Sequence, residues 1–280
     1  MPNFLDADNW SENIWKESGM RKEISIILTS VLVIGLLGML MTTMPVSAAK
    51  KVPTLGWDFD DHTNTHPHLN QLTADQIRAE EDAVNLAFTS HGYPVPQHLA
   101  YPYGSYDAAV IQVISTYRKS GRTVSGNMET FPVPNWYELK CAQFKRNTLW
   151  NKLQVIIDQC IATNALLHIF THDVALKPSS YGCTPAQLTQ LLDYLKQQQD
   201  AGKLKVMTMA GAYDVWSTAT TNPGATVVVS FDDSHESDFT QAYPLFKARG
   251  LKGTSYIITS FIGTAGCLTW AEIAQMRAGL

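Results

Sequence analysis

Residues 226–233 read Thr-Val-Val-Val-Ser-Phe-Asp-Asp and give the strongest indication of the fold. Three consecutive valines favour a strand that is covered on both faces, because a strand with one solvent face alternates apolar and polar residues. Such strands occur in parallel sheets and barrels, whose active sites lie at the carboxyl ends of the strands. The two aspartates at the end of this stretch therefore stand where a metal ion or a general base is expected, although a plain turn with solvated aspartates explains them as well.

Around this stretch, short apolar runs alternate with helical patterns from Trp57 onward, which predicts repeated strand-helix units. The fold class is predicted as α/β, a distorted barrel of about seven parallel strands. The predicted strands are Trp57–Asp60, His98–Tyr101, Arg122–Ser125, Leu166–Thr171, Lys205–Met209, Thr226–Phe231 and Gly253–Ile258.

Helix boundaries carry their own signals. Thr73 with Gln76 three residues later forms a capping-box pattern, and Thr184 followed by Pro185 opens a second helix. Further helices are predicted at Tyr106–Lys119, Thr148–Ala162, Phe239–Arg249 and Trp270–Arg277, with stops at Gly92, Gly121, Gly202 and Gly250.

The N-terminal part has the pattern of an export segment. Arg21 and Lys22 precede an apolar run of about 18 residues, Ile24–Met41, and small residues follow up to Ala49. We expect a signal peptide cleaved after Ala48 or, because the run approaches the length of a membrane span, an uncleaved hydrophobic anchor helix. The expected location is secreted, or anchored on the outer face of the cytoplasmic membrane.

Composition limits the partners. The chain of 280 residues has a formal net charge of -4 and no long basic run, so no nucleic-acid partner is expected. Four cysteines lie in the exported part, where disulfides can form. None has the close spacing of a zinc site, and buried or incidentally paired cysteines are the favoured interpretation.

Two histidines follow the first predicted strand. His62 and His66 lie four positions apart, so one helical turn would bring both to one side, where they could bind a single ion; a pair of surface histidines is the plain alternative. After the second strand comes Tyr101-Pro102-Tyr103-Gly104, a turn whose backbone amides can face an oxyanion. His172 ends the Leu166–Thr171 strand, where it can exchange a proton.

Together, these four patterns resemble the polysaccharide deacetylase family, the carbohydrate esterases with the NodB homology domain. The resemblance implies that Asp232 is the catalytic base and that Asp233, His62 and His66 bind a divalent metal ion, with zinc favoured. It implies further that the Tyr103 amide binds the oxyanion and that His172 is the general acid.

The same resemblance assigns the turn residues Tyr101, Pro102 and Gly104 to the substrate-binding site.

There are departures from the family pattern. Ala100 stands where many members carry an arginine that orients the base, and Ser234 replaces a glycine. A clear fourth motif is missing around residues 126–136. A second Phe-Asp-Asp, at residues 59–61, is set aside as part of the strand before His62, with Asp61 a candidate to support a ligand histidine.

The motif order is swapped relative to the family, since the aspartates come last. We divide the chain into an N-terminal extension with the signal or anchor, 1–49, and one deacetylase-like domain, 50–280. Within that domain, 50–216 corresponds to the usual second half, 217–225 to a linker, and 226–280 to the usual first half. A circular permutant and a fragment of a tandem array both fit this order.

The function predicted from the resemblance is hydrolysis of N-acetyl groups on N-acetylglucosamine-type units of a wall or extracellular polysaccharide. Two alternatives stay open: a catalytically impaired glycan-binding module on the same fold, and an amidohydrolase for a non-carbohydrate amide. The expected partners are the polysaccharide and, with an uncleaved anchor, the membrane. The chain is expected to be a monomer or a domain-swapped dimer.

Overall fold

The structure is a computed structural model that describes residues 56–279. The predicted signal or anchor segment lies outside the described residues, as does Leu280. Within residues 56–279, no helix has both the length and the apolar character needed to cross a bilayer.

Seven parallel strands close into a barrel, as the sequence predicts. In ring order they are β1 (Asp58–Asp61), β2 (His98–Ala100), β3 (Ser120–Gly126), β5 (Leu139–Gln143), β6 (Leu166–Thr171), β8 (Thr226–Phe231) and β9 (Thr254–Ile257). Each strand pairs in parallel with the next, and β9 pairs with β1 from Asp58 opposite Thr254 to Asp61 opposite Ile257, which closes the ring.

Two short strands lie outside the ring. β4 (Met128–Glu129) pairs antiparallel with the start of β6, and β7 (Lys205–Met207) pairs in parallel with the start of β8. The predicted strand Lys205–Met209 is therefore not one of the seven barrel strands. Its place in the ring is taken by β5, which the sequence did not reveal.

Six helices of the described chain cover the outside of the barrel: α1 (Ala74–Ser90), α2 (Ala108–Ile114), α3 (Trp150–Thr163), α4 (Pro185–Asp200), α6 (Tyr243–Lys247) and α7 (Trp270–Ala278), and a seventh, α5 (Met209–Thr218), lies at one end. A π-helical turn, Asp238–Ala242, precedes α6. The capping box predicted at Thr73 is formed, and the helix predicted to open at Thr184 begins there with a capping box of its own. Gly121, predicted to stop a helix, instead lies inside β3, because α2 already ends at Ile114.

The three consecutive valines of β8 face alternate sides of the barrel wall, and both sides are covered. Val227 and Val229 pack outward into the large core beneath the helices, whereas Val228 packs inward with Leu166 and Tyr256. All three valines are fully buried. The predicted two-sided burial of this strand is thus confirmed.

α5 covers the N-terminal end of the barrel. Its amides of Met209 and Ala210 donate to Thr254 Oγ1 and Asp58 Oδ2, both at 2.9 Å, and Trp216 Nε1 donates to Thr226 Oγ1 at 3.0 Å. The acceptors are the first residues of β9, β1 and β8. This helix was missed in the sequence, and the predicted linker Ser217–Ala225 begins inside it.

The end of α7 lies against the start of β1. The amides of Gly56 and Trp57 donate to the carbonyls of Arg277 and Met276, each at 3.0 Å. A β-carbon on Gly56 would lie 1.8 Å from the Met276 carbonyl oxygen, so only glycine permits this approach.

Candidate metal centre

The candidate residues meet at the carboxyl rim of the barrel because parallel strands end at the same edge. His62 follows β1, His172 follows β6, and Asp232 and Asp233 follow β8. Their sequence separation is large, but the strand order places β1, β9, β8 and β6 side by side.

Three atoms converge on one point. His62 Nε2 and His66 Nε2 are 3.2 Å apart, and Asp233 Oδ1 lies 3.3 Å from the first and 3.4 Å from the second. A tetrahedral zinc ion with bonds of about 2.0–2.1 Å holds its ligand atoms ~3.3 Å apart. Asp233 Oδ1 is also buried and unsatisfied by any hydrogen bond within residues 56–279. The donor set and its spacing therefore fit a divalent metal ion.

The tautomer of His62 suits a ligand. Its Nδ1 lies 2.7 Å from the carbonyl oxygen of Ala100, which can only accept, so Nδ1 carries the proton and Nε2 keeps a free lone pair. The ring is 3% exposed. Ala100 thus supports the His62 ring through its backbone, whereas Asp61 contacts the histidine loop by accepting from the Thr63 amide at 2.6 Å.

The charges around the three donors are coupled. Burial lowers the pKa of His62, but the carboxylates of Asp233 and Asp232 outweigh it, so the pKa is raised. Burial and the neighbouring His62 lower the pKa of His66 to about 4. Burial opposes ionisation of Asp233, yet contact with His62 holds the pKa of this carboxyl below its ordinary value. An ionised aspartate and a neutral His66 are the forms that bind a metal ion.

The two histidines are brought together by a tight loop and not by the helical turn we predicted. Thr63 and His66 both adopt left-handed backbone conformations, with φ of 66° and 62°. His66 N–H donates to Thr63 Oγ1 at 2.9 Å. The loop from His62 to His66 therefore turns back on itself, which brings the two histidine rings together.

The aspartate side of the site is also held in a left-handed conformation, with φ of 72° at Asp233 and 61° at Ser234. Ser234 is fully buried, and its hydroxyl accepts a hydrogen bond from Ile258 N–H at 2.7 Å. This contact gives a physical reason for a serine where the family pattern has glycine.

Asp232 is oriented by an arginine that the sequence did not reveal. Arg122 Nη2, from β3, lies 2.7 and 2.5 Å from the two carboxylate oxygens of Asp232. The guanidinium carbon stands 4.2 Å from the centre of the Phe170 ring. The pair is buried at 1% and 4% side-chain exposure. Arg122 therefore supplies the contact that Ala100 cannot make.

His172 lies on the other side of Asp233, with Nε2 3.7 Å from Asp233 Oδ2. Burial lowers the pKa of His172. Its Nδ1 is buried without a hydrogen-bond partner among the described residues, and the Tyr181 ring stands 5.4 Å away.

The Tyr101–Gly104 turn forms one edge of the site. Tyr103 has φ of 58°, and its exposed ring stacks on His68 at 4.0 Å and lies 4.4 Å from the His66 ring. The hydrogen bonds that close the turn, from Gly104 N to Tyr101 O and from Ser105 N to Pro102 O, leave the Tyr103 amide uninvolved. The Tyr101 side chain is buried, and its hydroxyl donates to Tyr137 O, so it is not open to a substrate.

The second Phe-Asp-Asp, residues 59–61, contributes no carboxylate to the candidate metal centre. Asp60 Oδ1 accepts from the amides of Gln97 and His98, each at 3.1 Å. Asp61 is fully buried and binds Arg118 Nε at 2.7 Å. Among the residues of the described chain, only His62, His66 and Asp233 form a group that could hold an ion.

The chain is an α/β barrel protein with a candidate metal site of two histidines and one aspartate at its carboxyl rim. Residues 36–119 match the family model described as polysaccharide deacetylase, which confirms the resemblance to that family. The matched segment contains both histidines and the Tyr101–Gly104 turn.

Solved structures with similarity include IcaB from Ammonifex degensii, at 29% identity, a TM-score of 0.36, and coverage of 41% of this chain and 48% of that one. The deacetylase PplD of Streptococcus pyogenes, in complex with acetate, is 22% identical with a TM-score of 0.35, covering 39% and 50%. The chain thus spans about half the length of these structures. Among curated proteins, no sequence matches it.

Proposed function

We propose that the chain is a metal-dependent hydrolase that removes N-acetyl groups from N-acetylglucosamine-type units of a wall or extracellular polysaccharide. The observation that carries the proposal is the convergence of His62, His66 and Asp233 within 3.2–3.4 Å of one another. The family match over residues 36–119 supports the deacetylase class.

His62, His66 and Asp233 would hold the ion, and zinc suits this donor set. When bound, such an ion acts as a Lewis acid toward a carbonyl oxygen and lowers the pKa of water. The side chains and backbone of the protein carry out the proton transfers and bind the oxyanion.

Asp232 acts as the general base, fixed in place by Arg122. It takes a proton from the water that attacks the acetamide carbon, and the Tyr103 N–H donates to the oxyanion that forms. The carbon–nitrogen bond then breaks as His172 protonates the leaving nitrogen. The proton that Asp232 took replaces the one that His172 gave, so the amide and one water yield a free amine and acetic acid, which ionises to acetate.

The ion pair between Arg122 and Asp232 weakens the alternative of a glycan-binding module without turnover, because the missing arginine at position 100 was one of its three supports, beside the missing fourth motif and the swapped order. An amidohydrolase acting on another amide remains the rival that differs only in substrate.

The proposal includes the swapped order of the halves. Asp233 comes from 226–280 and the histidines from 50–216, and one chain supplies all three donors. The predicted export signal or anchor would put this site outside the cell, where such polymers lie.

The test is release of acetate from N-acetylglucosamine oligomers by the zinc-loaded protein. We expect activity that a chelator abolishes, and a decrease of about 10²–10⁴-fold in Asp232→Asn, the range for a lost general base. Asp60→Asn, in the second Phe-Asp-Asp, should retain activity. Folded, zinc-loaded protein that releases no acetate would contradict the proposal, and release from a simple amide alone would support the rival.

A further inference from the structure

The loop that carries the two histidines is held by a network of side-chain oxygens. All four backbone amides from Thr63 to His66 donate to side chains and none to a backbone carbonyl: Thr63 N to Asp61 Oδ1 at 2.6 Å, Asn64 N and Thr65 N to Glu80 Oε2 at 2.9 and 2.7 Å, and His66 N to Thr63 Oγ1 at 2.9 Å. The loop therefore has no secondary structure of its own to define its shape.

Glu80 makes the largest share of these contacts. Besides the two amides, its Oε1 accepts a hydrogen bond from Thr65 Oγ1 at 2.7 Å. Glu80 lies on α1 and is half-buried, whereas its neighbour Glu81 is fully buried and pairs with Arg118 at 2.8 Å. Three hydrogen bonds donated to this one carboxylate fix the middle of the loop to a rigid helix.

The opposite side of the loop is held by the other half of the chain. The amides of Thr259 and Ser260 donate to the carbonyls of Thr63 and Asn64 at 3.2 and 3.1 Å, and Thr259 Oγ1 donates to Asn64 Oδ1 at 2.9 Å. The loop is thus fixed between α1 and the turn after β9. Left-handed residues such as Thr63 and His66 persist only where the surroundings fix them in this way.

From these contacts we infer that Glu80 is a positioning residue for the metal site, acting on His66 through the amides of Asn64 and Thr65. The inference rests on the proposed function, because it concerns the same metal site. His62 has its own anchor in the Ala100 carbonyl. Within residues 56–279, the His66 ring makes no hydrogen bond to a backbone carbonyl and depends on the loop, so loss of Glu80 should displace His66 more than His62.

The test measures zinc affinity on chelator-stripped protein, by competition with a chromophoric chelator. Glu80→Ala should weaken zinc binding by about 10–100-fold, the usual effect of removing a group that orients a ligand. Glu80→Gln should bind nearly as well as wild type, because its amide oxygen can accept from both backbone amides and its nitrogen can donate to Thr65 Oγ1.

Asp75→Asn is the matched control. It removes a carboxylate from the same helix, but Asp75 is exposed and pairs with Arg78. Zinc affinity should not change in this variant. Urea unfolding of each metal-free variant distinguishes the positioning role of Glu80 from a purely structural role. In a purely structural role, Glu80→Ala would lower the free energy of unfolding and leave zinc affinity intact.

Equal zinc affinity of wild type and Glu80→Ala would overturn the role of Glu80 and leave the proposed function standing. Wild-type protein that binds no zinc would overturn both.

Discussion

Arg122 is the residue on which the geometry of the proposed base depends. Its pair with Asp232 is almost completely buried, so each charge is compensated mainly by the other. Removing one partner of such a pair leaves an uncompensated buried charge, which costs more than the pair itself contributes.

Arg122→Met should therefore lower the free energy of unfolding by about 3–5 kcal/mol at neutral pH. The double variant Arg122→Met with Asp232→Asn should recover part of that loss, because no charge is left unpaired. Urea unfolding of both variants and of Asp232→Asn completes the cycle. A loss below ~1 kcal/mol in Arg122→Met, the level of an exposed ion pair, would contradict this account.

His168 predicts a pH dependence of stability. It lies inside the barrel with Nε2 2.7 Å from Ser230 Oγ, and burial, with the positive charge of Arg122, holds its pKa well below the ordinary value. The unfolded chain takes up this proton near pH 6.5 and the folded chain does not. The contribution is therefore fully present above that pH and is lost as pH falls below it.

The loss has a limiting slope of about 1.4 kcal/mol per pH unit for one proton. In His168→Gln, which can keep a hydrogen bond to Ser230, we expect a correspondingly flatter decline of unfolding free energy between pH 6 and pH 5. Urea titrations at both values compare the two proteins. Parallel declines would show that His168 is not the group responsible.

At this scale, sequence reasoning succeeded where several motifs pointed to one family and failed where a partner came from a strand whose neighbours were not known. His62, His66 and Asp233 were predicted together from their motifs, and in the structure they do converge. Arg122 was missed because its contact with Asp232 depends on strand order and parity. Its signal was a charged residue at the start of a predicted barrel strand, Arg122–Ser125.

At the scale of elements, helix starts were the most predictable feature. Thr184 accepts from Gln187 N at 3.2 Å while Gln187 Oε1 accepts from Thr184 N at 2.9 Å, as the capping-box pattern implies. These contacts are local, so four residues of sequence are enough to specify them.

Thr184→Ala should accordingly lower the free energy of unfolding by about 0.5–2 kcal/mol and leave zinc affinity unchanged. Thr218→Ala is the control, since its hydroxyl only bonds the Asp214 carbonyl one turn back. That variant should stay within ~0.5 kcal/mol of wild type. Equal effects of the two substitutions would argue against the cap.

The missed elements failed for two different reasons. β5 reads Leu-Lys-Cys-Ala-Gln and has neither an apolar run nor a clean alternation, so its pairing with β3 and β6 determines it. α5 did carry a signal, because its buried Met209, Ala212 and Trp216 follow helical spacing. The strand predicted at residues 205–209 concealed it.

At the scale of the whole molecule, strands from residues 56–216 and from residues 226–279 form one closed barrel. β9, from the C-terminal half, pairs with β1 from the other half, and the end of α7 bonds to the start of β1. In a chain reordered as residues 222–280 followed by 56–221, Gly56 would come four positions after Arg277, the spacing of a helical turn.

That reordered chain should fold to the same barrel, unfold cooperatively and bind zinc, because its junction follows a contact already present. Circular dichroism and zinc titration measure both properties. Failure of the reordered chain to fold would contradict the interpretation that the halves are a rearranged version of one domain.

The most direct test of the central claim is the zinc content of the monomeric fraction after size exclusion, for wild type, His62→Ala and Asp233→Ala. The account predicts one ion per wild-type chain and a loss in both variants, because each half of a single chain supplies ligands. Full zinc content in Asp233→Ala, or zinc bound only by a dimer, would contradict it.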